Sequence, residues 1–315
     1  MLHNSQSWLD DELEADSSFE EDPQPQQYFS LRAHRLARKP PRRRSVKKLL
    51  EEGLKDPKAP KFSDPGLQEL YEKQLFSELL WELRSGKEAT VYVVRATEKS
   101  WPDNPEALLA VKLYVDSRVR SLKNDALYRQ GRLVSDQRMK KAIDQRSDYG
   151  ISAQNILWVE EEYRQLHALH QLGVPVPRPV AHAGNAILME FVGDEDGPAP
   201  RLSEAGLSRE EAQEALEQAV HNLGLILSAG KIHGDYSTFN LLWHEGRVVV
   251  IDFPQMVEWD KNPLAMEILE RDVRGLCRTF GHLGIHPKPE AVIRRVWQIA
   301  HANPTRYTPM EVSYL

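Results

Sequence analysis

The run Ile232-His233-Gly234-Asp235-Tyr236-Ser237-Thr238-Phe239-Asn240, followed by the apolar stretch Val248–Ile251 and then Asp252, constrains this chain more than any other. It places an acid, an amide five residues later, and a second acid at the end of a hydrophobic strand. Phosphoryl transfer from a metal nucleotide needs this set. One carboxylate orients or deprotonates the attacking hydroxyl, while an amide oxygen and a second carboxylate, carried on a short hairpin, hold magnesium.

The residues upstream read as equipment for delivering a nucleotide to that run. Asp64-Pro65 predicts a helix start, with Leu67, Leu70, Tyr71, Leu75 and Leu79 at helical spacing. Leu83 to Gly86 leads through Lys87-Glu88-Ala89 into the β-rich run Thr90–Val94, and a second strand follows over 107–114 with Lys112 on it. A strand pair joined in this way suits a cover over nucleotide phosphates. Gln154 to Leu172 predicts a helix stopped by Gly173 and Pro175, with an apolar stripe of Val159, Tyr163, Leu166 and Leu169. Glu162 lies at the edge of that stripe, whereas Glu160 shares a side with Arg164 and His167. A carboxylate on a packing face requires a cation, and Lys112 is the natural partner.

Val180–His182 and Ala186–Glu190 read as short strands joined near Gly184-Asn185. The exit through Phe191-Val192-Gly193 suits a hinge holding adenine by backbone groups. Ser208 and Glu211 form a capping box for a helix reaching about Ala229, closed by Gly230. Further helices are predicted over 262–281 and 289–302. Glycine turn, strand lysine, helix glutamate, hinge, His-x-Asp-x4-Asn and strand-Asp stand in the order a protein-kinase-like fold requires. Ser85-Gly86-Lys87-Glu88 is not a Walker A loop, since position 81 is Trp and position 88 is Glu.

Charge sets two stretches of the chain apart. Within 315 residues of net charge −6, residues 1–60 hold an acidic block (Asp10 to Asp22) and then a basic block (Arg32 to Lys48) broken by Pro40-Pro41. Too few apolar residues lie there to offset the ordering entropy, so a disordered charged tail is expected. Residues 116–152 form a long insertion in which Lys and Arg outnumber acids. The basic block and this insertion are the places where RNA or an acidic partner would be touched. No stretch approaches the ~20 apolar residues of a membrane span, and the single cysteine, Cys277, reads as a small core residue. A soluble cytoplasmic protein without a membrane partner is expected.

These residues together resemble the RIO family of atypical protein kinases. The resemblance rests on Ser85-Gly86-Lys87-Glu88-Ala89, Ala110-Val111-Lys112, Trp158 ahead of Glu160-Glu161-Glu162, and Gly173-Val174-Pro175-Val176-Pro177-Arg178-Pro179. It continues with Leu188 to Gly193, Pro198-Ala199-Pro200, His233-Gly234-Asp235-Tyr236-Ser237 with Asn240, and Ile251-Asp252-Phe253-Pro254-Gln255. Ile-Asp-Phe-Pro-Gln, where ordinary protein kinases carry Asp-Phe-Gly, is its most specific element. No Ala-Pro-Glu and no activation segment are visible.

The resemblance implies an α+β, reduced bilobal protein-kinase-like fold over 61–315, with an N-lobe of antiparallel sheet plus helix over about 65–190 and a mostly helical C-lobe over about 194–305. It implies ATP with Mg2+, or Mn2+ in its place, and a protein kinase or ATPase that transfers phosphoryl to a protein serine or to Asp252 itself as an aspartyl-phosphate. Ser85, Gly86, Lys87, Glu88 and Ala89 would form the phosphate loop, Lys112 would reach the phosphates while paired with Glu162, and Met189, Glu190 and Val192 would take adenine. Asp235 would be the catalytic acid, with Asn240 and Asp252 on metal. Two departures stand out: Arg84-Ser85 replaces the family's usual Ser-Thr before the glycine, and residues 1–60 do not resemble the winged helix of one branch. Two other functions share parts of the pattern. One is a small-molecule phosphotransferase of the aminoglycoside or choline kinase type. The other is a nucleotide-gated assembly factor for RNA or ribosomal particles acting through the basic tail and the 116–152 loop.

Overall fold

The computed structural model describes residues 62–86, 89–114 and 148–303, with side chains of the last segment described from 156 onward. The charged tail, Lys87, Glu88 and positions 116–147 of the insertion lie outside the described residues.

A five-stranded antiparallel sheet in the order β1-β2-β3-β5-β4 forms the N-terminal half. Its strands are β1 (Glu78–Ser85), β2 (Ala89–Arg95), β3 (Leu108–Tyr114), β4 (Pro179–Ala183) and β5 (Ala186–Glu190). Helix α1 (Pro65–Glu72) covers one face, its start set by Asp64, whose carboxylate accepts from Leu67 N at 2.9 Å. The helix ends earlier than the leucine spacing predicts. Gln74 takes a left-handed φ of 57°, and the chain turns so that Leu75 and Phe76 pack with Leu67 and Leu70 while Leu79 enters β1 opposite Val94. Period-two alternation then sorts β3: Leu109, Val111 and Leu113 join the α1 cluster, leaving Ala110 and Lys112 on the opposite face.

That opposite face meets helix α2 (Asp148–Gln171), which starts six residues before the predicted Gln154 and takes up the end of the insertion. The rest is mainly helical: α3 (Arg209–Ser228), α4 (Ala265–His282) and α5 (Pro289–Ala302). The capping box opens α3, with Ser208 Oγ accepting from Glu211 N at 3.2 Å and Glu211 Oε2 accepting from Ser208 N at 2.8 Å. Helix α4 starts later than predicted because Asn262 Oδ1 accepts from Leu264 N at 2.9 Å, closing a turn around Pro263 first. Leu223, Ile226, Leu276, Phe280, Val296 and their neighbours form one core that reaches up to Tyr114, Val159 and Ile187. Cys277 belongs to it. Among the described residues no helix is long and apolar enough to cross a membrane.

Six short strands position the site. After β5, the hairpin of β6 (Gly193–Asp194) and β7 (Gly197–Pro198) leads into the helical half. β8 (Lys231–Ile232) pairs with β11 (Val257–Glu258), and the hairpin of β9 (Leu241–His244) and β10 (Arg247–Val250) lies between them in sequence. Glu245 and Gly246 turn that hairpin at φ 49° and 75°, the left-handed pair a two-residue turn demands.

Candidate active site

Lys112 is the centre of the charge arrangement. Its Nζ donates to Glu162 Oε1 at 2.7 Å and to Asp252 Oδ1 at 2.6 Å. Strand alternation aims the lysine away from the α1 core, and the α2 stripe brings Glu162 to meet it with the carboxylate only 6% exposed. Burial alone would lower the lysine pKa. The charges of Asp252 and then Glu162, with their hydrogen bonds, outweigh it and hold the ammonium well above its ordinary range. Glu160, the alternative on the same helix, makes no ion pair among the described residues.

The His-Gly-Asp loop is fixed from behind. Gly234 sits at φ 82°, and a Cβ there would lie 2.3 Å from the Gln255 carbonyl oxygen, so only glycine lets the loop pass the turn that follows Asp252. Asp272 of α4 accepts from Gly234 N at 2.9 Å, and Arg271 donates to the Gly234 carbonyl. Burial pushes the Asp272 carboxyl up to about 6, against bonds from the Gly234 and Tyr236 backbone and the charge of Arg271. Tyr236 is buried and donates to the Ala219 carbonyl at 2.8 Å. His233 is fully buried, and desolvation lowers its pKa to about 4 despite the charge of Asp252 and a contact with the Ile251 backbone. It is a neutral structural ring, packed edge-on against Tyr236 at 5.4 Å, and not a base.

Asn240 closes the loop. Its Nδ2 donates to Asp235 Oδ2 at 2.8 Å and to the Asp235 carbonyl at 3.0 Å, and its carbonyl accepts from Ile251 N at 2.9 Å. The amide nitrogen is thus committed to Asp235, leaving Oδ1 as the atom suited to a cation. Asp252 follows at φ 70°, a left-handed conformation that costs a non-glycine residue roughly 1–2 kcal/mol. Its side chain is 41% exposed. Burial raises its pKa, but Lys112, His233 and Arg84 outweigh that and keep the carboxyl below its ordinary value. The departure at Arg84 therefore adds positive charge toward the same carboxylate.

Around this centre, Gly86 N donates to the Ala89 carbonyl at 2.9 Å, closing the turn between β1 and β2, and Ser85 Oγ lies 3.2 Å from Thr90 Oγ1. Lys87 and Glu88, the middle of the expected phosphate loop, lie outside the described residues. Met189 stands opposite Ala110 in the β3–β5 ladder, so both line one apolar face with Val93 and Phe191. Glu190 turns its carboxylate back to Arg178 N at 2.9 Å. The Val192 carbonyl accepts from Ala199 N at 3.0 Å, while its own N–H meets no acceptor among the described residues. An apolar plate beside an open backbone donor suits a flat heteroaromatic ring.

The structure thus brings Lys112, Glu162 and Asp252 into contact, links Asp235 to Asn240, and joins the two groups through the Asn240–Ile251 backbone bond. Two contributors escape the motif reading: Arg271 and Asp272. Asp272 was open to the argument used for Glu162. It sits four residues after Ile268 and three after Leu269 on the buried stripe of α4, so a carboxylate there had to find donors.

The solved structures most like this chain include the Rio2 kinase from Chaetomium thermophilum (TM-score 0.55, 19% identity, 85% of this chain and 76% of that one). Another is the Rio2 kinase–ADP/Mg2+–phosphoaspartate complex from the same organism (TM-score 0.53, 19% identity, 75% and 69%). At these identities they establish the α+β kinase-like fold. Among sequences, serine/threonine-protein kinase RIO1 of Caenorhabditis elegans is 32% identical over 224 residues, 69% of this chain and 39% of that protein. The RIO-type serine/threonine-protein kinase Rio1 of Thermoplasma acidophilum is 32% identical over 160 residues, 51% of this chain and 80% of that one. This chain therefore spans well under half of the worm protein. A family model described as the RIO domain matches residues 90–292, from the strand before Lys112 to the helix beyond Asp272, and the chain belongs to that family.

Proposed function

We propose that this chain transfers the γ-phosphoryl group of Mg-ATP to a serine hydroxyl of a protein, and to its own Asp252 carboxylate. The observation that carries the reading is Lys112 held between Glu162 and Asp252, next to an Asp235 carboxylate pinned by Asn240.

The residues fit the group they would hold. Among the described residues no cluster of three acidic, His or Cys side chains forms a metal cage. Mg2+ suits such a site, because it takes one or two protein oxygens and completes its shell with phosphates and water. Asn240 Oδ1 and the Asp252 carboxylate would supply those oxygens, and the ion would neutralise charge on the phosphates. Met189, with Ala110, and the backbone of Glu190 and Val192 would hold adenine.

The chain's own groups then act by positioning and charge. Lys112, fully protonated, takes phosphate oxygens in exchange for its Asp252 contact while Glu162 keeps it in place. Asp235 accepts the proton of the acceptor hydroxyl as that oxygen bonds to phosphorus, and the bond to ADP breaks with the electron pair leaving on ADP. With Asp252 as acceptor, its carboxylate oxygen bonds to the same phosphorus and no proton moves. Gly234, Asp272 and Arg271 keep the backbone under Asp235 fixed through both steps.

Purified full chain incubated with labelled Mg-ATP should yield phosphoserine on a protein acceptor and a hydroxylamine-sensitive acyl phosphate on Asp252, with no label on a panel of hydroxylated small molecules. Asp235→Ala should lower serine transfer by about 10²–10⁴-fold, and Asp252→Ala should also weaken Mg-ATP binding. Wild-type rates in the double variant would refute the assignment.

A further inference from the structure

The turn Thr238–Asn240 holds Thr238 and Asn240 buried but leaves the ring of Phe239 40% exposed. Both neighbours are tied inward, Thr238 Oγ1 to Thr279 Oγ1 at 3.3 Å and Asn240 to Asp235, so the ring projects from a fixed backbone beside the reacting acid. One exposed apolar side chain is ordinary. What lies over this one is not: the guanidinium of Arg201, 5.4 Å from the ring centroid.

Arg201 is anchored by its backbone rather than by its charge. It bridges to Leu242 of β9, the Pro200 carbonyl accepts from Trp243 N at 2.9 Å, and the next side chain, Leu202, is fully buried. Among the described residues no carboxylate lies within ion-pair distance of it, and its five donors make no hydrogen bond to a described residue. Glu204, the nearest acid in sequence, is exposed and makes no ion pair with it, and Asp194 Oδ1 accepts from Asp196 N and Gly197 N within its own hairpin.

We propose that Phe239 and Arg201 form the acceptor-docking ledge, selecting a polypeptide that carries an acidic side chain close to its acceptor serine. This rests on the kinase reading above and names its substrate class. The flat ring supports the peptide backbone, and the guanidinium, matched in shape to a carboxylate, binds it bidentately. Asp235 and Asp252 repel such an acid from the reaction centre, so the ledge is where it settles.

The test uses the full chain, Mg2+ and a non-hydrolysable ATP analogue. Fluorescence anisotropy measures binding of serine peptides that differ only in one Glu, Gln or Lys, scanned through the positions flanking the serine. One register should favour Glu over Gln by about tenfold, the factor a charge-assisted hydrogen bond supplies. Arg201→Ala should abolish the preference, Arg201→Glu should invert it toward Lys, and Phe239→Ala should weaken all three peptides alike. The proposal fails if no peptide in the series binds, if Arg201→Ala keeps the Glu preference, or if that variant instead changes nucleotide affinity. Binding needs no transfer, so the two readings separate. An Arg201-dependent preference without phosphoserine sinks the kinase reading alone, and transfer indifferent to Arg201 sinks the ledge alone.

Discussion

Asp272→Asn should make stability more sensitive to acid by a calculable amount. In the folded protein burial lifts the Asp272 carboxyl from 3.8 to about 6. The folded state therefore holds this proton more tightly than the unfolded chain. Above pH 6 the wild type carries the full cost of a buried charge, and that cost disappears as pH falls toward 3.8. At 1.36 kcal/mol per pH unit the gap is worth about 3 kcal/mol.

His233 behaves in the opposite sense. Its folded pKa falls from 6.5 to about 4, so its contribution is complete above pH 6.5 and is lost as pH drops to 4, again about 3 kcal/mol. Between pH 6 and 4 the two nearly cancel in the wild type. Asparagine removes the Asp272 half of that balance and weakens the bond to Gly234 N, a pH-independent loss of about 1–2 kcal/mol. Urea midpoints at constant ionic strength should show the variant about 1–2 kcal/mol more stable than the wild type at pH 7, where the charge cost of about 3 kcal/mol is gone and only the bond is lost. At pH 4 it should be less stable by about 1–2 kcal/mol, so the difference swings by about 3 kcal/mol. Groups common to both proteins drop out of the difference. A difference constant across this range would refute the account, because it would mean that Asp272 titrates alike in both states.

Three further outcomes follow from the same contacts. Lys112→Met should abolish turnover and cost about 3–5 kcal/mol by removing the Lys112 cation from beside the buried Glu162 carboxylate; the double variant with Glu162→Gln should recover much of that stability in urea titrations without recovering activity. Gly234→Ala should lower the melting temperature and turnover together, since its Cβ would meet the Gln255 carbonyl at 2.3 Å, with a cost of about 1–3 kcal/mol. Arg84→Ala removes one of the charges holding Asp252 low, so the acidic limb of the kcat/KM profile should move to higher pH while the alkaline limb stays in place.

Much of the site was legible in the linear chain because it is built from short-range patterns. Period two along β3 put Ala110 and Lys112 on one face, and period three to four along α2 put Glu162 on another. The spacing from Asp235 to Asn240 is bridged by the Asn240 amide, which bonds both the carboxylate and the carbonyl of Asp235. What escaped was set by contacts across long separations. The α1 helix ended early because Leu75 and Phe76 found a better place in the α1 cluster than on a continuing helix. Asp272 acquired its purpose from a loop 38 residues before it.

The amino-acid order by itself determined which residues the proposed chemistry calls on and in what sequence they arrive, since local periodicity and turn chemistry are properties of neighbours. Only the tertiary structure decided that Lys112 answers to two carboxylates at once, 50 and 140 residues away. It also decided that His233 is a buried neutral ring, and that Arg201 stands over Phe239 with no counter-ion among the described residues. Desolvation and charge pairing depend on what lies within a few ångströms in space, and no pattern along the chain encodes that distance.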